Sequence, residues 1–264
     1  MGRFFDGGQN AVVVAVDHGE FDGPLPGMID LPEVVQSIDP SVDAVLLAPG
    51  MLPHCADVFT RKGAPMAMVR ANWSTHFCFH WDYEEGTAVP AVGAGEAAAM
   101  GADMILVCLT LQTGSESRDA SNVEVFCRLV AEAKAAGIPV VGEYFPARPD
   151  RLSPEELHDQ VYRGCRIVAE LGADLIKTFY TRSFAEVTAA CPIPILGLGA
   201  EKTPTQLQAL QLAESIVDNG GRGVVFGRNA IQAPDPPAFQ RALCEVVKKG
   251  MSASDAARNY FLTD

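Results

Sequence analysis

Eight short apolar runs recur through this chain, and each is followed by a stretch of helical character. They fall at residues 11–16, 44–47, 66–69, 104–109, 140–141 with their flanks, 175–178, 193–196 and 223–226. Each is too short for a helix and rich in Val, Ile or Leu, the pattern of strands buried on both faces. The joints repeat as well. Residues 96–100 lead into Gly101-Ala102-Asp103, residues 131–136 into Gly137-Ile138-Pro139, and Glu170-Leu171 into Gly172-Ala173-Asp174. A glycine just past a helix takes the left-handed conformation that satisfies the last carbonyls, and the chain then enters the next strand. Helix starts are marked too. Ser153-Pro154-Glu155-Glu156 offers a capping serine, a proline at the first helical position and a glutamate at the third, and Thr203-Pro204-Thr205-Gln206 reads the same way. Eight βα units without a linker or composition break predict an α/β fold, one domain over residues 1–264, closed as a (β/α)₈ TIM barrel. A doubly wound open sheet is the alternative; the absence of GxGxxG after the first run counts against its dinucleotide-binding version. Residues 252–261 read as a short amphipathic helix and a candidate subunit contact.

The formal net charge is -13. Such a surface repels phosphate backbones and anionic lipid, so nucleic acid and membrane are poor partners, and an anionic substrate needs a local positive site. No apolar run has the length of a bilayer span, and the N-terminal residues show no secretory apolar region. Cys55, Cys78, Cys108, Cys127, Cys165, Cys191 and Cys244 are scattered singly, which reads as reduced core cysteines of a cytoplasmic protein.

In such a barrel the chemistry sits at the C-terminal ends of the strands. There the first run ends in Asp17-His18-Gly19 and the fifth in Glu143-Tyr144-Phe145-Pro146; the sixth carries Lys177. The seventh leads to Gly199-Ala200-Glu201-Lys202 and the eighth to Gly227-Arg228-Asn229. Of six lysines, Lys177 alone lies inside an apolar strand. Burying a charged amine costs several kcal/mol or lowers its pKa, and a lowered pKa makes it a nucleophile. A buried ion pair, for example with Asp17, is the plain alternative. Asp17 is an acid/base candidate or the cap of the next turn, and His18 reads as a packed, hydrogen-bonded residue. Gly199-Ala200 and Gly227-Arg228 have the character of a phosphate grip: small residues for backbone N–H approach, and an arginine fork. His54, Cys55, His76, Cys78 and His80 contain zinc-ligand types, but His76 and His80 share a face only on a helix. The aromatic segment 73–81 reads instead as a loop over the barrel mouth.

Arg3-Phe4-Phe5, Asp17-His18-Gly19 with Gly23-Pro24 and Gly27, the strand around Lys177, and Gly223 through Asn229 followed by Gln232 together resemble the archaeal-type class I fructose-bisphosphate aldolases. These belong to the wider DeoC/FbaB aldolase group, with 2-amino-3,7-dideoxy-threo-hept-6-ulosonate synthase and a thiolase acting on a phosphorylated signalling molecule. The resemblance implies a lysine imine at Lys177, a phosphorylated keto substrate, no metal or organic cofactor, and homo-oligomeric rings, often a decamer of two. It places substrate phosphate on Gly199, Ala200, Gly227 and Arg228. Two positions depart from the family. Its fifth strand commonly ends Tyr-Pro-Arg-Gly, and that tyrosine moves protons at the imine stage; here Phe145 precedes Pro146. By strand alternation Glu143 shares the face of Phe145, so it is expected to point inward and take the acid/base role with Asp17, while Tyr144 points away. Ala200-Glu201-Lys202 replaces Gly-Pro-Lys, and Glu201 must point outward for a phosphate to sit there. The expected activity is carbon–carbon bond cleavage or formation in a phosphorylated ketose or related keto compound. Lysine-dependent acyl transfer from a phosphorylated diketone to a thiol, a metal-dependent barrel lyase, and a non-catalytic sugar-phosphate binder remain open alternatives.

Overall fold

The computed structural model describes residues 1–263. Its strands are β1 (Ala11–Ala15), β2 (Ala44–Leu47), β3 (Met66–Arg70), β4 (Asn72–Ser74), β5 (Ala88–Pro90), β6 (Met104–Leu109), β7 (Val140–Tyr144), β8 (Leu175–Phe179), β9 (Ile195–Leu198) and β10 (Gly223–Phe226). Eight of them close a parallel barrel in the order β1-β10-β9-β8-β7-β6-β3-β2. The predicted (β/α)₈ fold is therefore the observed one.

Strand parity divides the core in two. Ala11, Val13 and Ala15 of β1, Met66 and Met68 of β3, Val141 of β7 and Leu175 of β8 fill the barrel interior with Phe4. Val12, Val14, Val69, Val140 and Ile176 pack outward against the helices. Arg3, which hydrogen-bonds the Ala64 carbonyl just before β3, places Phe4 at the N-terminal end of the barrel. Continuing each inward series by two residues reaches Asp17, Arg70, Glu143 and Lys177, all at the opposite end.

The Gly-Ala-Asp joints do more than end helices. Asp103 accepts from the Ala67 N–H and Asp174 from the Val140 N–H, as Asp43 does from Val12, so each aspartate ties its strand to the preceding one. Behind β7, the long helix Pro154–Glu170 starts with the predicted Ser153–Glu156 capping box. It crosses the strand at Gly164, where an added Cβ would lie 2.4 Å from the Tyr144 ring; only a glycine lets that outward-facing ring lie flat on the helix.

Three local expectations are corrected. The seventh strand begins at Ile195 rather than residue 193, because Pro192 and Pro194 have no N–H for the ladder. The cap of helix Gln206–Asp218 is Thr205, in a capping box with Gln208, while Thr203 is bound to Asn229. The region after β3 is not only a loop. β4 and β5 form an antiparallel hairpin, with short 3₁₀ turns at Thr75–Phe77 and Phe79–Trp81 between them. Asn72, donating to and accepting from the Cys108 backbone, fastens this hairpin to β6. The expected tail helix is present at Ala253–Asn259 and buries Ala253 and Ala256 against helices of its own chain. None of the described helices is long and apolar enough to cross a membrane.

Candidate active site

Four charged side chains close the inward-facing layers at the C-terminal end of the barrel, and they meet in one cluster. Glu143 and Lys177 are register partners on β7 and β8. Lys177 Nζ lies 2.5 Å from Glu143 Oε1. Arg70, at the end of β3, donates from Nη1 to Glu143 Oε2 at 2.7 Å and from Nε to Asp17 Oδ2 at 2.7 Å. Asp17, Arg70, Glu143 and Lys177 are all buried, none more than 7% exposed. Two carboxylates face two cations, so the cluster balances its charge without solvent. The lysine partner is Glu143, and Asp17 is linked to it through the guanidinium.

Electrostatics follow from this geometry. Burial alone would raise the Asp17 carboxyl, but Arg70, Lys177 and His18 outweigh it and bring the pKa down to about 2. Burial likewise opposes ionisation of Glu143, and Arg70 and Lys177 hold it below the usual carboxylate range. A carboxylate depressed in the folded state contributes stability that is complete above its unfolded pKa and disappears as pH falls through the folded one. For Asp17 that window runs from about 4 down to about 2, with roughly 2 kcal/mol at stake. Urea unfolding of Asp17→Asn between pH 5 and pH 2 should therefore give a flatter stability curve than the parent protein, by about that amount.

Aromatic rings wall the cluster. Phe21 and Phe77 cover the Arg70 guanidinium at 5.0 and 4.7 Å. Phe145, where the resembled aldolases carry tyrosine, packs edge-on against Phe77 and Phe179, each at 4.8 Å. Its carbonyl accepts from Thr110, which also contacts His76 Nε2 at 3.1 Å, while Ser74 lies 2.6 Å from His76 Nδ1. Burial pushes the His76 ring down to about 3, so it is neutral. Each of these hydroxyls also reaches a backbone carbonyl, Thr110 that of Phe145 and Ser74 that of Thr87. His76 thus braces the end of β7, with both nitrogens engaged. His54 and His80 are exposed, and among the described residues no three His, Cys, Asp or Glu side chains are grouped to hold a metal ion.

The two glycine-containing loops after β9 and β10 lie side by side on the neighbouring arc of the mouth. Ala200 adopts a left-handed conformation, φ +49°, and its carbonyl accepts from Arg228 Nη2 at 3.0 Å. Arg228 Nε is buried with no hydrogen-bond partner. Asn229 binds the Gly199 and Glu201 carbonyls and fixes the loop, while Glu201 itself is exposed. Gly199 differs from its expected role, because its N–H is committed to the Val225 carbonyl in the barrel ladder. Gly227 has a steric reason to be glycine: an added Cβ would stand 2.3 Å from the His18 ring. Gln232 reaches back to the Pro26 carbonyl, so the two segments most characteristic in the sequence dock on each other.

The family model for DeoC/LacD aldolases matches residues 11–233, a span that includes every residue of this cluster. The chain belongs to the DeoC/LacD aldolase family. An uncharacterised aldolase of Saccharolobus solfataricus is 30% identical over 98% of this chain and 96% of its own length. A 3-hydroxy-5-phosphonooxypentane-2,4-dione thiolase of Photorhabdus laumondii is 28% identical over 97% of this chain and 84% of its own. A solved Schiff-base-forming fructose-1,6-bisphosphate aldolase superposes with a TM-score of 0.78 at 26% identity, covering 93% of this chain and 97% of that one. A further archaeal fructose-1,6-bisphosphate aldolase structure, with its catalytic lysine covalently bound to the carbinolamine intermediate, superposes equally well at 25% identity, covering 93% and 97%. This member therefore has the class I aldolase fold and is a lyase.

Within the aldolase barrel the structure brings together Asp17, Glu143 and Lys177, and separately Ala200, Gly227 and Arg228. The sequence reading missed Arg70, which joins the two carboxylates. Its signal was the one that singled out Asp17: a charged residue closing an apolar run, here directly after residue 69.

Proposed function

We propose that Lys177 forms an imine with the ketone of a phosphorylated ketose or related keto compound, and that the enzyme makes or breaks the adjacent carbon–carbon bond. The observation that carries this reading is the charge balance around Nζ: Glu143 and Asp17 oppose Arg70, leaving one unit of negative charge for a cation at the lysine nitrogen. For attack the amine passes its proton to Glu143 Oε1, with which it is in contact. Addition gives a carbinolamine, and loss of water gives a protonated imine. That imine restores the positive charge at the same nitrogen, in a buried site already arranged to favour it. Bond cleavage pushes its electron pair into the imine to give an enamine, which is then protonated and hydrolysed. The aromatic wall of Phe77, Phe145 and Phe179 excludes water from the intermediates. No organic cofactor or metal takes part in this scheme. Arg228 and the backbone at Ala200 and Gly227 hold the substrate phosphate and so position the ketone; the unpartnered Arg228 Nε supports that assignment.

The reading carries with it a reducing, cytoplasmic setting, which seven free cysteines suit, and a homo-oligomeric assembly. Its partners are phosphorylated small molecules, not membrane or nucleic acid.

The similarity to the phosphorylated-dione thiolase favours a second reading, in which the same lysine activates a diketone whose acyl group passes to a thiol. Product analysis separates them. Phosphorylated ketoses and diketones should be cleaved without added thiol; cleavage of the diketones alone, and only with coenzyme A present, would move the assignment to acyl transfer.

A further inference from the structure

We infer that Glu20 is a further acid–base residue of this site, exchanging a proton with the substrate hydroxyl beside the bond that breaks. The inference rests on the aldolase reading above and on what the cluster lacks. Both Glu143 oxygens are occupied, one by Lys177 and one by Arg70. Asp17 is held by Arg70 and depressed to about 2, which makes it a weak base near neutrality. Phe145 has no hydroxyl. A bond cleavage that turns a hydroxyl into a carbonyl still needs a group to receive the hydroxyl proton.

Glu20 is placed for that role. It lies on the short turn Gly19–Asp22, directly after Asp17, at the C-terminal mouth. Its N–H donates to the Asp17 carbonyl at 3.1 Å, and its own carbonyl accepts from Trp73 Nε1 at 3.2 Å, so the turn is held from both sides. The next residue, Phe21, lies on the Arg70 guanidinium. Glu20 Oε2 is buried with no hydrogen-bond partner. An unsatisfied carboxyl oxygen is costly to bury, and one at the edge of a reaction site fits a group kept for a ligand or a proton. The charged groups acting on it are Arg70 from β3 and Asp17 from the end of β1; Asp22, on its own turn, faces His80. Burial raises its pKa to about 7, against the pull of Arg70 and with the push of Asp17. A carboxyl poised there can accept and return a proton at working pH.

The step balances. The hydroxyl proton goes to the Glu20 carboxylate as its oxygen becomes the carbonyl of the departing aldehyde. The electron pair of the broken bond enters the Lys177 imine and leaves it as the enamine. In the synthetic direction protonated Glu20 returns that proton to the alkoxide.

The test compares the parent enzyme with Glu20→Gln and Glu20→Asp, using fructose 1,6-bisphosphate and fructose 1-phosphate as probes. Borohydride adducts at Lys177, cleavage rates from pH 5 to 9 and thermal midpoints are read for each. Parent cleavage should rise with pH through about 7. Glu20→Gln should still give the Lys177 adduct and keep its thermal midpoint, but lose about 10²-fold in cleavage and lose the limb near neutrality. Glu20→Asp should retain a titrating limb with an intermediate rate, which a packing role would not produce. An adduct in the parent together with an unchanged rate and pH limb in Glu20→Gln would overturn the role of Glu20 alone. Absence of an adduct in the parent with both probes would overturn the imine reading and this inference with it.

Discussion

Replacing Lys177 with methionine is expected to reduce carbon–carbon bond turnover by on the order of 10⁴-fold or more, the scale at which loss of a covalent nucleophile is felt. The fold should survive. Glu143 loses one partner in this variant but keeps Arg70 Nη1 at 2.7 Å, and methionine fills the space of the lysine stem. A urea titration beside the activity assay distinguishes this outcome from unfolding. Turnover near the parent rate, in protein of any stability, would remove Lys177 from the mechanism.

Arg70→Met should give the largest loss of stability of any substitution in the cluster. Arg70 is 2% exposed and serves two buried carboxylates at once. Without it Asp17 keeps only the attraction of Lys177 and of His18, at 3.8 Å, and Glu143 keeps only Lys177. Removing one member of a buried ion pair costs about 3–5 kcal/mol, because an uncompensated charge is left behind. The urea midpoint at pH 7 should fall accordingly, and further than in Lys177→Met. Arg70→Lys should recover only part of the loss, since a single ammonium cannot reproduce donation from Nε to one carboxylate and from Nη1 to another. An Arg70→Met protein as stable as its parent would mean that the two carboxylates do not need this guanidinium.

Much of the site was legible in the sequence because strand parity is a strict rule. Once the fifth run was read as a barrel strand, alternation turned Glu143 inward; its register with Lys177 is set by the β7–β8 ladder, and the sequence had offered Asp17 as the lysine's partner. Arg70 was lost by ending the third run one residue early, at residue 69. Other features depend on contacts that no local pattern encodes. Gly199 looked like a phosphate donor until the β9–β10 ladder claimed its N–H. Thr203 looked like a helix cap, but Asn229, distant in sequence, takes it, and Thr205 caps instead. Strands as short as β4 and β5 fall below what alternation can signal, and the hairpin is held by its own Asn72, which bonds the β6 backbone, and by Asn122 from outside it. Glu20 stands out only once Trp73, Asp17 and Arg70 are brought around its turn.

The central claim is tested most directly by borohydride reduction in the presence of phosphorylated ketoses and diketones, followed by peptide mass spectrometry. The account predicts a substrate-sized adduct on the peptide carrying Lys177, absent from Lys177→Met. Turnover of one of these compounds with no adduct on Lys177, or with the adduct on another lysine, would contradict it.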